Sequence, residues 1–95
     1  MMSKLTIELT QTCSACPEQY DLTINGIQAG YFRLRHGYFT VTCPDVGGHC
    51  VYEHDTKGNG SFEEDERPRF LSAGIRECVK IYLEENKNVL DREEI

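Results

Sequence analysis

Between Tyr20 and Thr42, three runs in which apolar and polar residues alternate are joined only by the dipeptides Asn25-Gly26 and His36-Gly37. A link that short leaves no room for a crossover, so successive runs must reverse and pair as antiparallel neighbours. Tyr20, Leu22 and Ile24 alternate with Asp21 and Thr23; Ile27 to Arg35 is the return strand, with Phe32 and Leu34 on one side and Tyr31, Arg33 and Arg35 on the other. Tyr38 to Thr42 then runs back. Upstream, Leu5, Ile7 and Leu9 alternate with Thr6, Glu8 and Thr10, and downstream Val51-Tyr52-Glu53 offers one more short strand. The sheet expected from these runs is a small antiparallel meander of four to five strands.

The period changes in the last third of the chain. Leu71, Ile75, Cys78, Val79 and Tyr82 recur at helical spacing, flanked by Phe70, Ile81 and Leu83, which predicts one amphipathic helix within 63–86. Pro68 fits a helix only in its first turn, so the start falls between Ser61 and Arg67. Cys78 lies on the apolar stripe and reads as a small core residue. Glu77, Lys80, Glu84 and Glu85 make a charged outer face, and residues 88–95 read as a frayed tail. The fold class expected is α+β, a single domain over 1–95 with the C-terminal helix laid across one face of the meander.

Two cysteine pairs, Cys13-Ser-Ala-Cys16 and Cys43-Pro-Asp-Val-Gly-Gly-His-Cys50, stand where strand runs stop. A tetrahedral thiolate site needs two short loops that each present two sulfurs to one point, and Cys-x2-Cys meets that need. The second pair is more widely spaced, but Gly47-Gly48 lets the backbone fold back and bring Cys50 round. The three-stranded meander is expected to bring the second pair toward the first, so that Cys13, Cys16, Cys43 and Cys50 form one structural zinc site, with His49 in place of Cys50 as the variant. Free buried thiols, a disulfide framework and a redox Cys-x-x-Cys remain as alternatives. An odd total of five cysteines and no secretory segment count against disulfides. A redox motif calls for a strand leading into a helix, whereas Pro17-Glu18-Gln19 leads into another strand. A chain of 95 residues is also near the size at which a metal staple contributes usefully to stability.

Sixteen acidic against ten basic residues leave a formal charge of -6, which disfavours binding nucleic acid through its phosphates and favours a basic protein partner. Residues 1–50 carry four acids and three bases and residues 51–95 twelve and seven, so the negative charge sits in the second half, with Glu63, Glu64, Asp65 and Glu66 as its densest run and the expected docking residues. Arg33 and Arg35, with Tyr31 and Tyr38 nearby, offer an alternative as a sheet platform for single-stranded nucleic acid. A third reading comes from Asp55 to Glu66, which follows the twelve-position calcium-loop template at Asp55, Asn59, Gly60, Ser61, Phe62, Glu63 and Glu66. Lys57 stands where a ligand oxygen belongs, and an ammonium there repels the cation. The competing reading is a Gly-rich turn feeding a helix, with Ser61 and Glu64 as a capping box. Neither a nucleophile elbow, nor a metalloprotease spacing, nor a phosphate loop is present, so the chain reads as non-enzymatic. Met1 to Thr12 lack the basic cluster and apolar core of a signal peptide, and no later run could span a bilayer, which leads to a cytoplasmic expectation.

Cys13-Ser-Ala-Cys-Pro-Glu-Gln-Tyr-Asp21, Gly30-Tyr-Phe-Arg-Leu-Arg-His-Gly37 and the acidic patterning from Gly58 to Arg67 resemble a group of small proteins encoded by phages and prophages of Gram-positive bacteria. Some small acidic phage proteins are anti-CRISPR inhibitors of Cas9, and a zinc-binding member of that class would be similar in size and charge. The resemblance implies a bacterial host cytoplasm and, as partner, a protein that holds nucleic acid in a positively charged channel, most concretely Cas9. The chain would act as a monomer or homodimer.

Overall fold

The structure, a computed structural model, describes residues 5–15 and 17–85. Cys16, Asn86 and the tail at 88–95 lie outside the described residues. Five strands, β1 (Ile7–Ser14), β2 (Glu18–Ile24), β3 (Ile27–Arg35), β4 (Tyr38–Cys43) and β5 (His49–Asp55), form one sheet in the order β1-β2-β3-β4-β5 with every pair antiparallel. One helix, α1 (Arg67–Glu85), follows and packs on one face. The expected α+β meander is the one found.

The two dipeptide links behave as their residues require. Asn25 and Gly26 have φ of 54° and 81°, and His36 and Gly37 have 54° and 73°. Positive φ at both central positions twists the turn in the same sense as the strands it joins. Side chains then alternate strictly in β2, where Glu18, Tyr20, Leu22 and Ile24 are buried and the residues between them half-buried. Phe32 and Leu34 of β3 and Phe39 and Val41 of β4 complete the inner face. Phe39 is the hub, with its ring centroid 5.9 Å from Phe32, 5.1 Å from Phe62 and 6.0 Å from Phe70. Sheet, loop and helix therefore meet in a single aromatic cluster of the kind that dominates core energetics.

The stripe that α1 buries is Phe70, Gly74 and Cys78, with Leu71, Ile75 and Ile81 partly buried at its margins. Apolar spacing alone centred the stripe a residue or so away. The difference arises at Gly74: a Cβ there would lie 2.8 Å from Phe32 Cε2 and 2.9 Å from Val41 Cγ2. Only a residue without a side chain lets the helix approach the sheet so closely, and that contact sets the rotation of α1 about its axis. The other sheet face carries half-buried Asp21, Tyr31, Arg33, Thr40 and Thr42.

Residues 56–66 do not hang free. Gly37 N–H donates to Asn59 O (2.7 Å), Thr56 N–H to Gly37 O (2.8 Å) and Glu18 N–H to Gly60 O (2.9 Å), so the loop is sewn across one end of β2, β3 and β4. Phe62 plugs the core from there.

Candidate functional site

Each hairpin reverses the chain, so β1 and β4, separated by three reversals, finish at opposite ends of the sheet. Cys13 pairs with Gln19 at the end that holds the His36-Gly37 turn, whereas Cys43 pairs with His49 at the end that holds Asn25-Gly26. The register runs from Cys13 through Gln19 and Arg33 to Thr40, so Cys43 lies about 14 Å away across the sheet and about 10 Å further along it. Sulfurs sharing one zinc ion stand roughly 4 Å apart, given bonds of about 2.3 Å. The structure thus does not bring Cys13 together with Cys43 and Cys50. Strand parity is the reason, because an odd number of reversals carries the second pair away from the first. Exposed His49, the variant ligand, stands with Cys43 at the far end. Among the described residues no group of three or more His, Cys, Asp or Glu side chains is arranged to hold a metal ion.

Cys43 instead meets Cys78. Their sulfurs are 3.2 Å apart, with Cys43 7 % and Cys78 1 % exposed. The contact with Cys78 holds the Cys43 thiol below its ordinary value, and the same contact, together with burial, pushes Cys78 well up, so Cys43 is the readier of the two to ionise. Gly30 makes the room, since a Cβ there would come within 2.7 Å of Cys78 Sγ. The pair lines a cleft of about 520 Å³ between the sheet and the end of α1, with Pro44, His49, Val51, Ile81 and Tyr82 among its walls.

At the opposite end, the acidic run divides by role. Glu66 is 3 % exposed and turned inward: its Oε2 accepts Lys57 N–H (2.6 Å), and its Oε1 accepts Gly58 N–H (3.1 Å) and Glu63 N–H (3.0 Å). Burial would raise this carboxyl, but those N–H donors outweigh burial and hold it below its ordinary value. Glu66 is therefore a brace for the loop and not part of a docking surface, which corrects its expected role. Glu63, Glu64 and Asp65 remain exposed, as does Asp55. Both oxygens of the residue at position twelve of the calcium template are thus occupied by backbone donors, and the Lys57 ammonium pairs with Asp65 at 2.8 Å. The helix start also differs from the Ser61/Glu64 capping box: Glu66 reaches back to Glu63 N–H, the side-chain half of such a box two residues later.

A second buried carboxylate joins this end to the sheet. Glu18, 1 % exposed, accepts Arg67 Nε at 2.9 Å, Arg67 Nη2 at 3.2 Å, Phe62 N–H at 2.8 Å and the Tyr20 hydroxyl. Burial raises the carboxyl, yet the Arg67, Tyr20 and Phe62 donors prevail and hold it below its ordinary value. Desolvation and the neighbouring Glu18 push Tyr20 up to about 12. Sequence reasoning passed over Glu18, although it stands in phase with Tyr20, Leu22 and Ile24 and that parity points it inward.

Arg33 and Arg35 lie on the outer sheet face, as alternation requires, and Arg33 Nε is buried with no hydrogen-bond partner. The same face bears Asp21 beside Tyr31 and Glu53 beside Thr40 in the paired rows, so it is mixed in charge, unlike a basic strip that tracks a phosphate backbone. No described helix is long and apolar enough to cross a membrane. Comparison with protein-family models, curated proteins and solved structures gives no match.

Proposed function

We propose that this chain is a non-enzymatic binding protein that engages a basic, nucleic-acid-handling partner through the exposed carboxylates ahead of α1, most concretely as an inhibitor of Cas9. The observation that carries the reading is the division of labour in the acidic run. Glu66 holds the loop from inside through three backbone N–H groups, which leaves Glu63, Glu64 and Asp65 displayed together on a braced segment. A braced acidic segment loses little conformational entropy on docking and steers association with a positively charged groove. The formal charge of -6 adds to that attraction. Cas9 enters from the resemblance to phage proteins, and its positively charged channel is the kind of surface such a segment complements.

The experiment is a Cas9 cleavage assay with purified protein, expected to show dose-dependent inhibition. Reversal of Glu63, Glu64 and Asp65 to lysine is expected to weaken inhibition at least tenfold while leaving the melting temperature near that of the parent, because none of the three is buried. Normal cleavage at large protein excess removes the Cas9 assignment; equal inhibition by the triple variant moves the docking surface elsewhere.

A further inference from the structure

We infer that Cys43 and Cys78 form a reversible dithiol–disulfide site, served by the cleft beside them and oxidised by low-molecular-weight disulfides. The inference is independent of the proposed partner, whose docking surface lies at the other end of the sheet. It rests on three geometric facts. The sulfurs are 3.2 Å apart, so about 1 Å of approach brings them to covalent distance. They come from elements 35 residues apart in sequence, β4 and α1, which were brought together by folding. Both line an open cleft, of about 520 Å³, with Cys43 the more exposed residue at 7 % against 1 % for Cys78. A cysteine pair serving only as core filler does not need the cleft.

The chemistry balances as thiol–disulfide exchange. The Cys43 thiolate attacks one sulfur of the small disulfide, forming a mixed disulfide and expelling one thiolate. Cys78, having lost its proton to solvent or to that thiolate, attacks Cys43 Sγ and expels the second. The protein loses two protons and two electrons, and the small disulfide is reduced to two thiols. Depth in the cleft favours the internal second step over a persistent adduct, because Cys78 is already in contact with the sulfur it must attack. The new bond ties the second half of α1 to β4 and closes a long loop, which stabilises the folded chain.

The test is incubation of the folded chain with oxidised glutathione, followed by unfolding, alkylation of the remaining thiols and peptide mapping by mass spectrometry. The expected product is a Cys43–Cys78 crosslink, reversed by dithiothreitol and accompanied by a rise in melting temperature of at least about 5 °C. Exposed Cys50 is expected to stop at the mixed disulfide. In Cys78→Ala, Cys43 is expected to stop there too, which identifies it as the attacking sulfur. Recovery of Cys43 and Cys78 as alkylated thiols when Cys50 has already reacted would overturn the inference, as would a lasting glutathione adduct on Cys43 in the parent chain. Mapping of the parent decides the matter even if the alanine variant fails to fold.

Discussion

Glu18 shows how a charged residue comes to belong to a core. Its period-two position in β2 turns it inward, where an isolated carboxylate is far too costly, and the chain answers with a guanidinium, a hydroxyl and a backbone N–H. Removing one partner is therefore worse than losing one hydrogen bond. Arg67→Ala is expected to destabilise by about 2 kcal/mol, reduced from the ~3–5 kcal/mol of fully buried pairs because the Arg67 side chain is 38 % exposed. Urea unfolding checks this, and an unchanged midpoint refutes it. Acid provides the second handle on the same group. Glu18 and Glu66 both titrate below their ordinary value in the folded chain, so the stability they confer is present above the unfolded-state value of 4.5 and drains away as pH falls through the folded-state values. The urea midpoint should fall on acidification in that window, and Glu18→Gln should make the fall shallower. A slope identical to that of the parent would remove Glu18 from the account.

Among the elements, α1 and β1 make opposite points about local preference. Glycine within a helix sacrifices about 0.5–1 kcal/mol relative to alanine, so propensity alone recommends Gly74→Ala. The added methyl would press on the rings and methyls of Phe32 and Val41, both fully buried, at 2.8–3.0 Å. Overpacking of that kind costs about 1–3 kcal/mol, so the substitution should destabilise by about 1 kcal/mol, read as a lower melting temperature. A rise would mean that the helix can back away freely. At β1 the expectation is the reverse. Cys13 is half-buried on an edge strand beside a bulge, with no thiol partner among the described residues. Cys13→Ser should therefore shift stability by no more than about 0.5 kcal/mol and leave unfolding cooperative. Loss of cooperative folding in that variant would restore a structural metal centre and contradict the register.

At the scale of the whole molecule the two ends of the sheet differ in kind. One end carries the loop braced by Glu18 and Glu66, with Glu63, Glu64 and Asp65 outward; the other carries the thiol pair and its cleft. Charge reversal at the first end should leave oxidation at the second unchanged, because no side chain is shared between them. Docking through exposed carboxylates should also weaken as salt rises, since charges more than about 8 Å apart are screened at physiological ionic strength. A salt-independent affinity, measured by titration against the basic partner, would show that apolar contact dominates.

Strand runs, turns and helix were legible because each rests on interactions within a few residues: alternation from Tyr20 to Cys43, positive φ at Asn25 and His36, and Pro68 confined to the first turn of α1. The expectation that the meander brings Cys43 toward Cys13 overlooked strand parity, although the three reversals from β1 to β4 could be counted and leave the two cysteines at opposite ends. What the sequence by itself could not determine is which polar and sulfur atoms meet once those elements close. Cys43 finds Cys78, Glu18 finds Arg67 and Glu66 turns beneath its own loop only after Gly74 has set the depth and rotation of α1. These contacts span long stretches of chain, and their partners are selected by the shape of the packed core, a property no local pattern carries.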